Sequence, residues 1–283
     1  MEPRGKRTRS PRAAAWIWTA KYEKFRAHVG LSPQRRRTGV TDLADRPDAE
    51  PLLSVVMPVF NECGTVLRTI AAVRAAPVQS LELIVVDDGS TDGTREALTS
   101  TLSSTANVRL IFHERNRGKG AALRSGFAHA RGRFVLIQDA DSEYDPADYP
   151  VLLKPLVDDH ADVVFGSRFL GGPHRVLYYW HSVANTLLTH ISNMVTDLNL
   201  TDMETCYKVF RREVLQRLDL REDRFGIEPE ITTKVARLGV RVFEVPITYN
   251  GRTYAEGKKI GVKDAFRAVY CIVRYGIRGR WNH

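Results

Sequence analysis

The chain has 283 residues, of which 43% are hydrophobic, and it carries a net charge of +9. A chain of this length buries one large core or two small ones, so a globular protein is expected. No apolar run approaches the roughly 20 residues that a membrane span needs, and the Arg- and Pro-rich start lacks the apolar centre of a secretory signal. These features exclude membrane-spanning and secreted proteins, and we expect a cytoplasmic protein.

The positive charge lies at the two ends of the sequence. Residues 1–46 hold 12 basic and 4 acidic side chains, and residues 252–283 hold 8 and 2, so the central part is acidic. This distribution suits a catalytic body held near an anionic surface, either lipid phosphates or nucleic acid. A solvated charged tail is the simpler alternative.

The three cysteines, Cys63, Cys206 and Cys271, are far apart and outside any CxxC or Cys/His spacing. An odd and scattered set argues against both a disulfide framework and a zinc site. We therefore expect free thiols buried in the core.

Residues 1–50 form a predicted basic N-terminal extension that is partly disordered. Within it, Trp18, Tyr22, Phe25 and Val29 recur at helical spacing, with basic side chains on other faces. This pattern predicts a short amphipathic helix, which either packs loosely or lies on a membrane.

From residue 52 the sequence alternates short apolar strands with helical patterns, and a domain is predicted over residues 51–260. Four βα units with nearly continuous apolar strands indicate a mainly parallel sheet covered by helices on both faces. Ligands of such sheets bind at the carboxyl ends of the strands. The strands are predicted at residues 52–59, 81–86, 108–112, from 134 and at 162–165, and the helices at 65–76, 92–103, 120–130 and 146–158.

After residue 165 the alternation is less regular. A helix is predicted at 182–198, and its stripe of Val183, Leu187, Ile191 and Met194 is interpreted as core. A polar loop at 251–260 precedes the C-terminal segment 261–283. The remaining predicted elements are a strand at 207–211, a helix at 228–238, a strand at 240–247 and a closing helix at 261–275.

Three acids follow the strand that begins at residue 134. Asp139, Asp141 and Glu143 alternate along an extended chain, so their side chains can converge on one point. Carboxylates this close repel unless a cation lies between them, and a hard divalent cation with open positions for phosphate oxygens suits the arrangement. The alternative is a polar strand exit in which an Asp caps the next turn.

Two further polar turns are candidates for binding a nucleotide. In the DDGSTDG segment at 87–93, the carboxylates of Asp87 and Asp88 can accept hydrogen bonds from a base and from ribose hydroxyls. Helix capping explains only one polar residue of that turn. The RGKG run at 117–120 allows a phosphate to approach the backbone at the start of a helix, although the spacing of a Walker loop is absent.

Taken together, four motifs resemble the family 2 glycosyltransferases with the GT-A fold. They are VMPVFNE at 56–62, VVDDGS at 85–90, NRGKG at 116–120 and DAD at 139–141, in the same order and spacing. Residues 52–260 are most similar to the polyprenyl-phosphate sugar synthases of the dolichyl-phosphate mannose synthase kind. The resemblance implies an α/β fold with a mainly parallel sheet flanked by helices, in which a Rossmann-like nucleotide-binding half precedes an acceptor-binding half.

The resemblance also implies a donor site and a metal. A Mg²⁺ or Mn²⁺ ion bridging the donor diphosphate is expected at Asp139 and Asp141, and the spacing of the acids adds Glu143. Positive charge from Lys119 and from the loop with Arg252 can assist it. The residues expected to bind the nucleotide diphosphate sugar are Pro58, Phe60, Glu62, Asp87, Asp88, Lys119 and Asp139.

For the acceptor, an Arg at the position of Arg168 contacts the lipid phosphate in the resembled synthases. The DMETCYK segment at 202–208 stands where those synthases usually carry a Gly followed by Phe-Arg, which leaves the acceptor open. Asp202 or Glu204 is either a base toward a hydroxyl acceptor or organises Lys208. The predicted acceptor residues are Arg168, Asp202, Glu204, Lys208, Arg252 and Lys258, and the predicted catalytic residues are Asp141, Arg168 and Lys259.

The resulting hypothesis is an inverting, metal-dependent transferase that moves a hexose from a nucleotide diphosphate sugar to a polyprenyl phosphate. A phosphate acceptor is already an anion near neutral pH, so no strong general base is needed. One alternative is the same chemistry onto a small-molecule, glycan or protein hydroxyl. Another is a non-catalytic membrane or nucleic-acid adaptor, against which the intact acids argue, and no nucleic-acid partner is expected.

In the closing helix, Lys263, Arg267, Arg274 and Arg278 fall within about 60° of one another at 100° per residue. Apolar side chains occupy the other angles, wide enough to dock on the body or to enter a lipid interface. This basic stripe predicts reversible attachment to the cytoplasmic face of an anionic membrane. An ordinary amphipathic closing helix is the alternative.

Overall fold

A computed structural model describes residues 50–103, 105–171, 175–176, 178–252 and 262–277, and within the last range the side chains of 265–276. The predicted N-terminal helix, both lysines of the 251–260 loop (Lys258 and Lys259), the Lys263 side chain and Arg278 therefore lie outside the described residues.

Strands and helices alternate through the first part of the chain, as predicted. The strands are β1 Leu53–Val59, β2 Leu81–Asp87, β3 Val108–Phe112, β4 Phe134–Ile137, β5 Val163–Ser167, β6 Lys208–Arg211 and β7 Val242–Pro246. The helices are α1 Val66–Arg74, α2 Thr94–Leu102, α3 Lys119–Phe127, α4 Tyr149–Val157, α5 Tyr179–Thr196, α6 Arg212–Gln216, α7 Ile227–Arg237 and α8 Val262–Ile277. A single 3₁₀ turn, Pro146–Asp148, precedes α4.

The seven strands form one sheet in the order β3-β2-β1-β4-β6-β5-β7. β1 pairs in parallel with β2 and β4, β2 with β3, and β5 with β7. Only β6 runs against its neighbours β4 and β5. The sheet is therefore mainly parallel and mixed α/β, which confirms the fold class predicted from the sequence.

Continuous apolar sequence places the central strands in the core. All seven residues of β1 and all four of β4 are buried, as expected for parallel strands covered on both faces. The α1 helix packs Val66, Ile70 and Val73 against this sheet. Gly126 of α3 lies so close to β1 that a Cβ there would meet Val56 Cγ1 at 2.3 Å. Helix α3 is thereby fixed against the sheet, which holds its first residue, Lys119, at the sheet's edge.

The predicted apolar stripe of helix α5 is largely exposed. Val183, Leu187 and Met194 were expected in the core, but they are 37%, 59% and 71% exposed, and Ile191 is only partly buried. The two residues of α5 that are buried are the polar Thr189 and Ser192. The apolar stripe is real, but it faces outward. Hydrophobic periodicity indicates that a helix has an apolar face, but it does not indicate what that face packs against.

Two further findings concern the expectations from composition. Cys206 and Cys271 are buried free thiols as expected, whereas Cys63 is exposed, because it lies in the turn after β1 and not within a strand. Within the described ranges, every helix falls short of the length and apolar character that a membrane span requires.

Candidate active site

The carboxyl ends of β1, β2 and β4 lie side by side at one edge of the sheet. Val59 at the end of β1 is opposite Asp87 at the end of β2, and β4 flanks β1 on its other side. The turns that follow these strands touch, since the Asn61 amide donates to Ser90 Oγ at 2.9 Å. Pro58 is buried in β1, and Phe60, two residues later, is exposed at the edge. The predicted donor residues of these strands thus share one rim.

Asp87 and Asp88 are buried and hydrogen-bonded within the protein. Asp87 pairs with Arg95 at 2.7 Å and accepts from the Ser90 amide. Asp88 accepts from the Gly118 amide at 2.6 Å and contacts His113 Nδ1 at 2.6 Å. Asp88 therefore ties the turn before α3 to β2. Direct contact of these two acids with a nucleoside stays a prediction.

Lys119 lies between two carboxylates at the start of α3. Its Nζ is 2.8 Å from Asp139 Oδ1 and 2.8 Å from Glu228 Oε1 on α7. Burial opposes the charged form, but Asp139 and Glu228 outweigh it and raise the pKa of Lys119. The preceding Gly118 has φ of 101°, and a Cβ there would meet the Asp223 carbonyl at 2.3 Å. A glycine is required at that turn, which presents Lys119 to the rim.

Asp141 is held by contacts to both of its carboxylate oxygens. Oδ1 accepts the Glu143 amide at 3.1 Å, and Oδ2 accepts Arg252 Nη2 at 2.6 Å. Burial, followed by the negative charges of Asp139 and Glu143, raises the pKa of Asp141 to about 7 despite the opposing effect of Arg252. Burial is thus the main reason that the charged form of Asp141 is disfavoured, and the neighbouring acids add to it.

The charges at the rim fit a divalent cation. Within the part of the chain that the structure describes, Lys119 contacts Asp139 and Glu228, and Arg252 contacts Glu62, Asp141 and Glu143, so each of these cations is shared by several carboxylates. Among the described residues, no group of three or more His, Cys, Asp or Glu side chains has the arrangement of a complete metal site. A cation here would therefore be bound by one or two carboxylates and would take its other ligands from phosphate and water, as Mg²⁺ does at phosphoryl sites.

Glu143 organises the chain segment that follows β7. Its carboxylate accepts from Tyr249 Oη at 2.9 Å and from the Arg252 amide at 2.8 Å, and its carbonyl accepts the Asn250 amide. These bonds hold residues 249–252 against the rim. A direct metal contact of Glu143 stays a prediction.

The proposed acceptor residues Arg168 and Asp202 form a buried bidentate ion pair. Arg168 Nε and Nη2 lie 2.6 and 2.7 Å from the two oxygens of Asp202. The Arg168 guanidinium also stacks 5.1 Å from the centre of the Tyr249 ring. Tyr249 therefore connects this pair to Glu143 and the acidic rim. Arg168 and Asp202, each predicted to act at the acceptor, thus contact each other, and their contact with an acceptor stays a prediction.

Glu204 and Lys208 follow Asp202 in the chain; Lys208 is buried, and Glu204 is partly buried. Lys208 Nζ donates to the carbonyls of Met203, at 3.0 Å, and Thr205, and burial lowers its pKa. Burial and the negative charge of Glu228 raise the pKa of Glu204 to about 8. Lys208 therefore fastens the 203–205 turn through backbone oxygens, and the nearby charges of Glu204 and Asp202 favour its protonated form. A role of either acid as a base stays a prediction.

Three residues of this site escaped the sequence reasoning: His113, Glu228 and Tyr249. His113 bridges Asp88 and Ser125 Oγ, at 2.6 and 2.9 Å. Glu228 and Tyr249 reach the rim from the second half of the chain, across large sequence separations. Only the position of Tyr249 just beyond the carboxyl end of a predicted strand could have signalled its role.

Comparisons with known proteins agree with this geometry. Residues 54–219 match the profile of Glycosyl transferase family 2. The chain is 32% identical over 240 residues to the undecaprenyl-phosphate mannosyltransferase of Micrococcus luteus, covering 80% of this chain and 95% of that protein. It is 31% identical to the polyprenol monophosphomannose synthase of Mycolicibacterium smegmatis, covering 80% of this chain and 87% of that protein.

A solved structure also has the same fold. The glucosyl-3-phosphoglycerate synthase of Mycobacterium tuberculosis, crystallised with Mn²⁺, UDP and glucosyl-3-phosphoglycerate, superposes with a TM-score of 0.62 at 20% identity, covering 87% of this chain and 86% of that chain. This likeness supports the GT-A-type architecture, and the relatives named as transferases leave the adaptor alternative without support. The chain belongs to glycosyl transferase family 2 and is a glycosyltransferase.

Proposed function

We propose that the enzyme transfers a hexose from a nucleotide diphosphate sugar to the phosphate of a polyprenyl phosphate, with inversion at the anomeric carbon. The bond from the anomeric carbon to the donor diphosphate breaks, a bond to an acceptor phosphate oxygen forms, and a nucleoside diphosphate leaves. The observation that carries the proposal is the similarity over nearly the whole length of a relative named for undecaprenyl phosphate.

The rim at the ends of β1, β2 and β4 supplies the donor site in this proposal. Asp139 and Asp141 would hold Mg²⁺ or Mn²⁺, which would supply positive charge against the negative charge of the departing diphosphate. Lys119 adds a positive charge from the other side, because Asp139 and Glu228 keep it protonated. Phe60 and Pro58 lie where β1 ends, which suits contact with the nucleoside.

The acceptor is placed on the Arg168 side of the rim. Asp202 is completely buried and both of its oxygens are bonded to Arg168, so it is poorly suited to remove a proton from a hydroxyl. A phosphate acceptor needs no such base, since it is already ionised. The contacts of Asp202 therefore argue against this residue as the base for a hydroxyl acceptor, and they are compatible with a phosphate acceptor.

A paired acceptor assay tests this function. Purified protein would be incubated with GDP- and UDP-hexoses and either a polyprenyl phosphate or the matching polyprenol, in buffer with Mn²⁺ or with EDTA. We expect a glycolipid only from the phosphate and only with the metal. Transfer to the polyprenol would favour the hydroxyl alternative, and full activity in EDTA would exclude the metal.

A second feature concerns the approach to a lipid acceptor. The outward face of α5 carries Tyr179, Trp180, Leu187 and Met194, and the whole helix contains no Asp, Glu, Lys or Arg. The adjacent α8 exposes Phe266, Tyr270 and Val273. We call these seven residues the apolar face. Trp and Tyr on such a surface are suited to a membrane interface, where one end of the ring is in lipid and the other in water.

We propose that the apolar face rests on an anionic bilayer at the cytoplasmic side. Arg267 and Arg274 border it, but both interact with the buried Glu222, at 2.6 and 3.9 Å. Part of the basic stripe is therefore neutralised within the protein. Binding is expected to depend mainly on the apolar side chains, with salt-sensitive assistance from the remaining basic residues.

Replacing Trp180 and Leu187 with Gln should reduce sedimentation with anionic liposomes at least severalfold, because about 1.5 kcal/mol or more of transfer free energy is lost for each large side chain. Co-sedimentation with phosphatidylglycerol vesicles at low and high salt measures the effect. Val157→Gln on α4, also an exposed apolar residue, is the control. Equal loss in the control variant, or no loss in the double variant, would contradict the proposed surface.

A further inference from the structure

Arg252 is the centre of a cluster of three carboxylates at the metal rim. Its Nη2 contacts Asp141 at 2.6 Å, its Nε contacts Glu143 at 3.3 Å and its Nη1 contacts Glu62 at 3.3 Å. The three acids come from the turns after β1 and β4, whereas Arg252 follows β7. The positive charge of one guanidinium thus offsets the negative charges of acids from separate parts of the fold.

The contact of Arg252 with Asp141, unlike its contacts with Glu62 and Glu143, occupies an oxygen that a metal ion is proposed to bind. Asp141 Oδ1 accepts the Glu143 amide, so Oδ2 is the oxygen more available for a cation, and Arg252 Nη2 is bonded to it. A divalent cation and a guanidinium bound to the same oxygen repel each other, so they compete for it. Binding of a metal by Asp141 Oδ2 therefore weakens or displaces the bond to Arg252.

The remainder of the Arg252 segment is held without Asp141. The Arg252 amide donates to Glu143, the Thr248 amide donates to Asp148 at 2.7 Å, and Arg175 donates to the Gly251 carbonyl at 3.2 Å. Loss of the Asp141 contact thus leaves the backbone anchored at the rim. Only the guanidinium has to turn, which side chains accomplish rapidly.

We propose that Arg252 is an exchangeable cation: it neutralises Asp141 when no divalent cation is present and moves to the donor diphosphate when cation and donor bind. Lys119 is not expected to exchange in this way, because its ammonium group contacts Glu228 as well as Asp139. The first half of the exchange concerns the metal alone. The second half rests on the proposed nucleotide-sugar donor.

The exchange predicts opposite effects of one substitution on two ligands. Arg252→Gln should bind Mn²⁺ alone roughly tenfold more tightly, because a competing positive charge beside Asp141 is removed. The same variant should bind UDP or GDP in saturating Mn²⁺ at least severalfold more weakly, because a charged partner of the diphosphate is lost. A residue that merely stabilises the fold would weaken both.

Titration of Mn²⁺ followed by electron paramagnetic resonance, and then calorimetry with UDP and GDP, measure the two affinities without any acceptor lipid. Arg241→Gln is the matched control, because Arg241 also pairs with two acids, Asp159 and Asp162, away from the rim. It should change neither affinity. Arg252→Lys keeps the charge and should bind Mn²⁺ with an affinity between those of the wild type and Arg252→Gln.

Weaker or unchanged Mn²⁺ binding by Arg252→Gln would overturn the proposal, as would unchanged nucleotide binding. Circular dichroism and thermal melting confirm that each variant is folded, and Arg252→Lys provides the same comparison if the Gln variant is not. Since no lipid is present, the result stands apart from the acceptor assay. Failure to glycosylate polyprenyl phosphate would leave the measured Mn²⁺ exchange intact.

Discussion

Asp141→Asn is expected to lower the rate of sugar transfer by roughly 10²–10³-fold, the loss typical for one electrostatic contributor in a transition state. The amide keeps the volume of the side chain but removes the negative charge that holds the proposed divalent cation. Initial rates at saturating donor and acceptor measure the effect. Asp158→Asn, an exposed acid paired with Lys154, is the control and should retain the wild-type rate.

The same variant should not be less stable. Asp141 has a pKa of about 7 in the folded protein, above its ordinary value of 3.8, so the folded state disfavours its charge. The loss of folding free energy that this causes is absent below about pH 4 and reaches its full value above about pH 7. In metal-free buffer at pH 8, the melting temperature of Asp141→Asn should therefore equal or exceed that of the wild type. A lower melting temperature would mean that lost stability contributes to the lost activity.

Sequence reasoning located the rim because its signals are local. Each acid or glycine motif follows a strand or precedes a helix within a few residues, and parallel strands bring their carboxyl ends to one edge. Asp139 and Asp141 after β4, and Lys119 at the start of α3, were identified in this way. The structure places Lys119 against Asp139 at 2.8 Å.

The pairings between distant segments were not accessible from the sequence. Nothing in the sequence around Glu228 distinguishes it from an ordinary helical acid, yet it contacts Lys119 and raises the pKa of Glu204. Asp88 is likewise occupied by His113 and the Gly118 amide. Such contacts depend on how the helices and loops pack on the sheet, which local patterns do not specify.

The outward face of α5 illustrates a different limit. The periodicity of Val183, Leu187 and Met194 correctly indicated an apolar stripe, and the usual arrangement buries such a stripe. In this protein Thr189 and Ser192 are buried instead. An exposed apolar stripe of this kind is explained if it has a partner other than the protein core, which is the basis of the proposed contact with lipid.

Arg168→Ala is expected to reduce the free energy of unfolding by about 3–5 kcal/mol, because it leaves the buried Asp202 carboxylate without its charged partner. Asp202 is 0% exposed, and the fork of Arg168 bonds both of its oxygens. Urea denaturation measures the loss. Arg221→Ala, which breaks an exposed pair with Asp219, is the control and should leave the free energy of unfolding nearly unchanged.

The double variant Arg168→Ala/Asp202→Asn should recover much of this stability, since the unpaired buried charge is gone. It then separates the structural role of Arg168 from its proposed contact with the acceptor phosphate. If Arg168 binds that phosphate, the refolded double variant should show a KM for polyprenyl phosphate raised at least about tenfold, with the KM for donor little changed. A similar rise for both substrates would assign Arg168 to the architecture of the site alone.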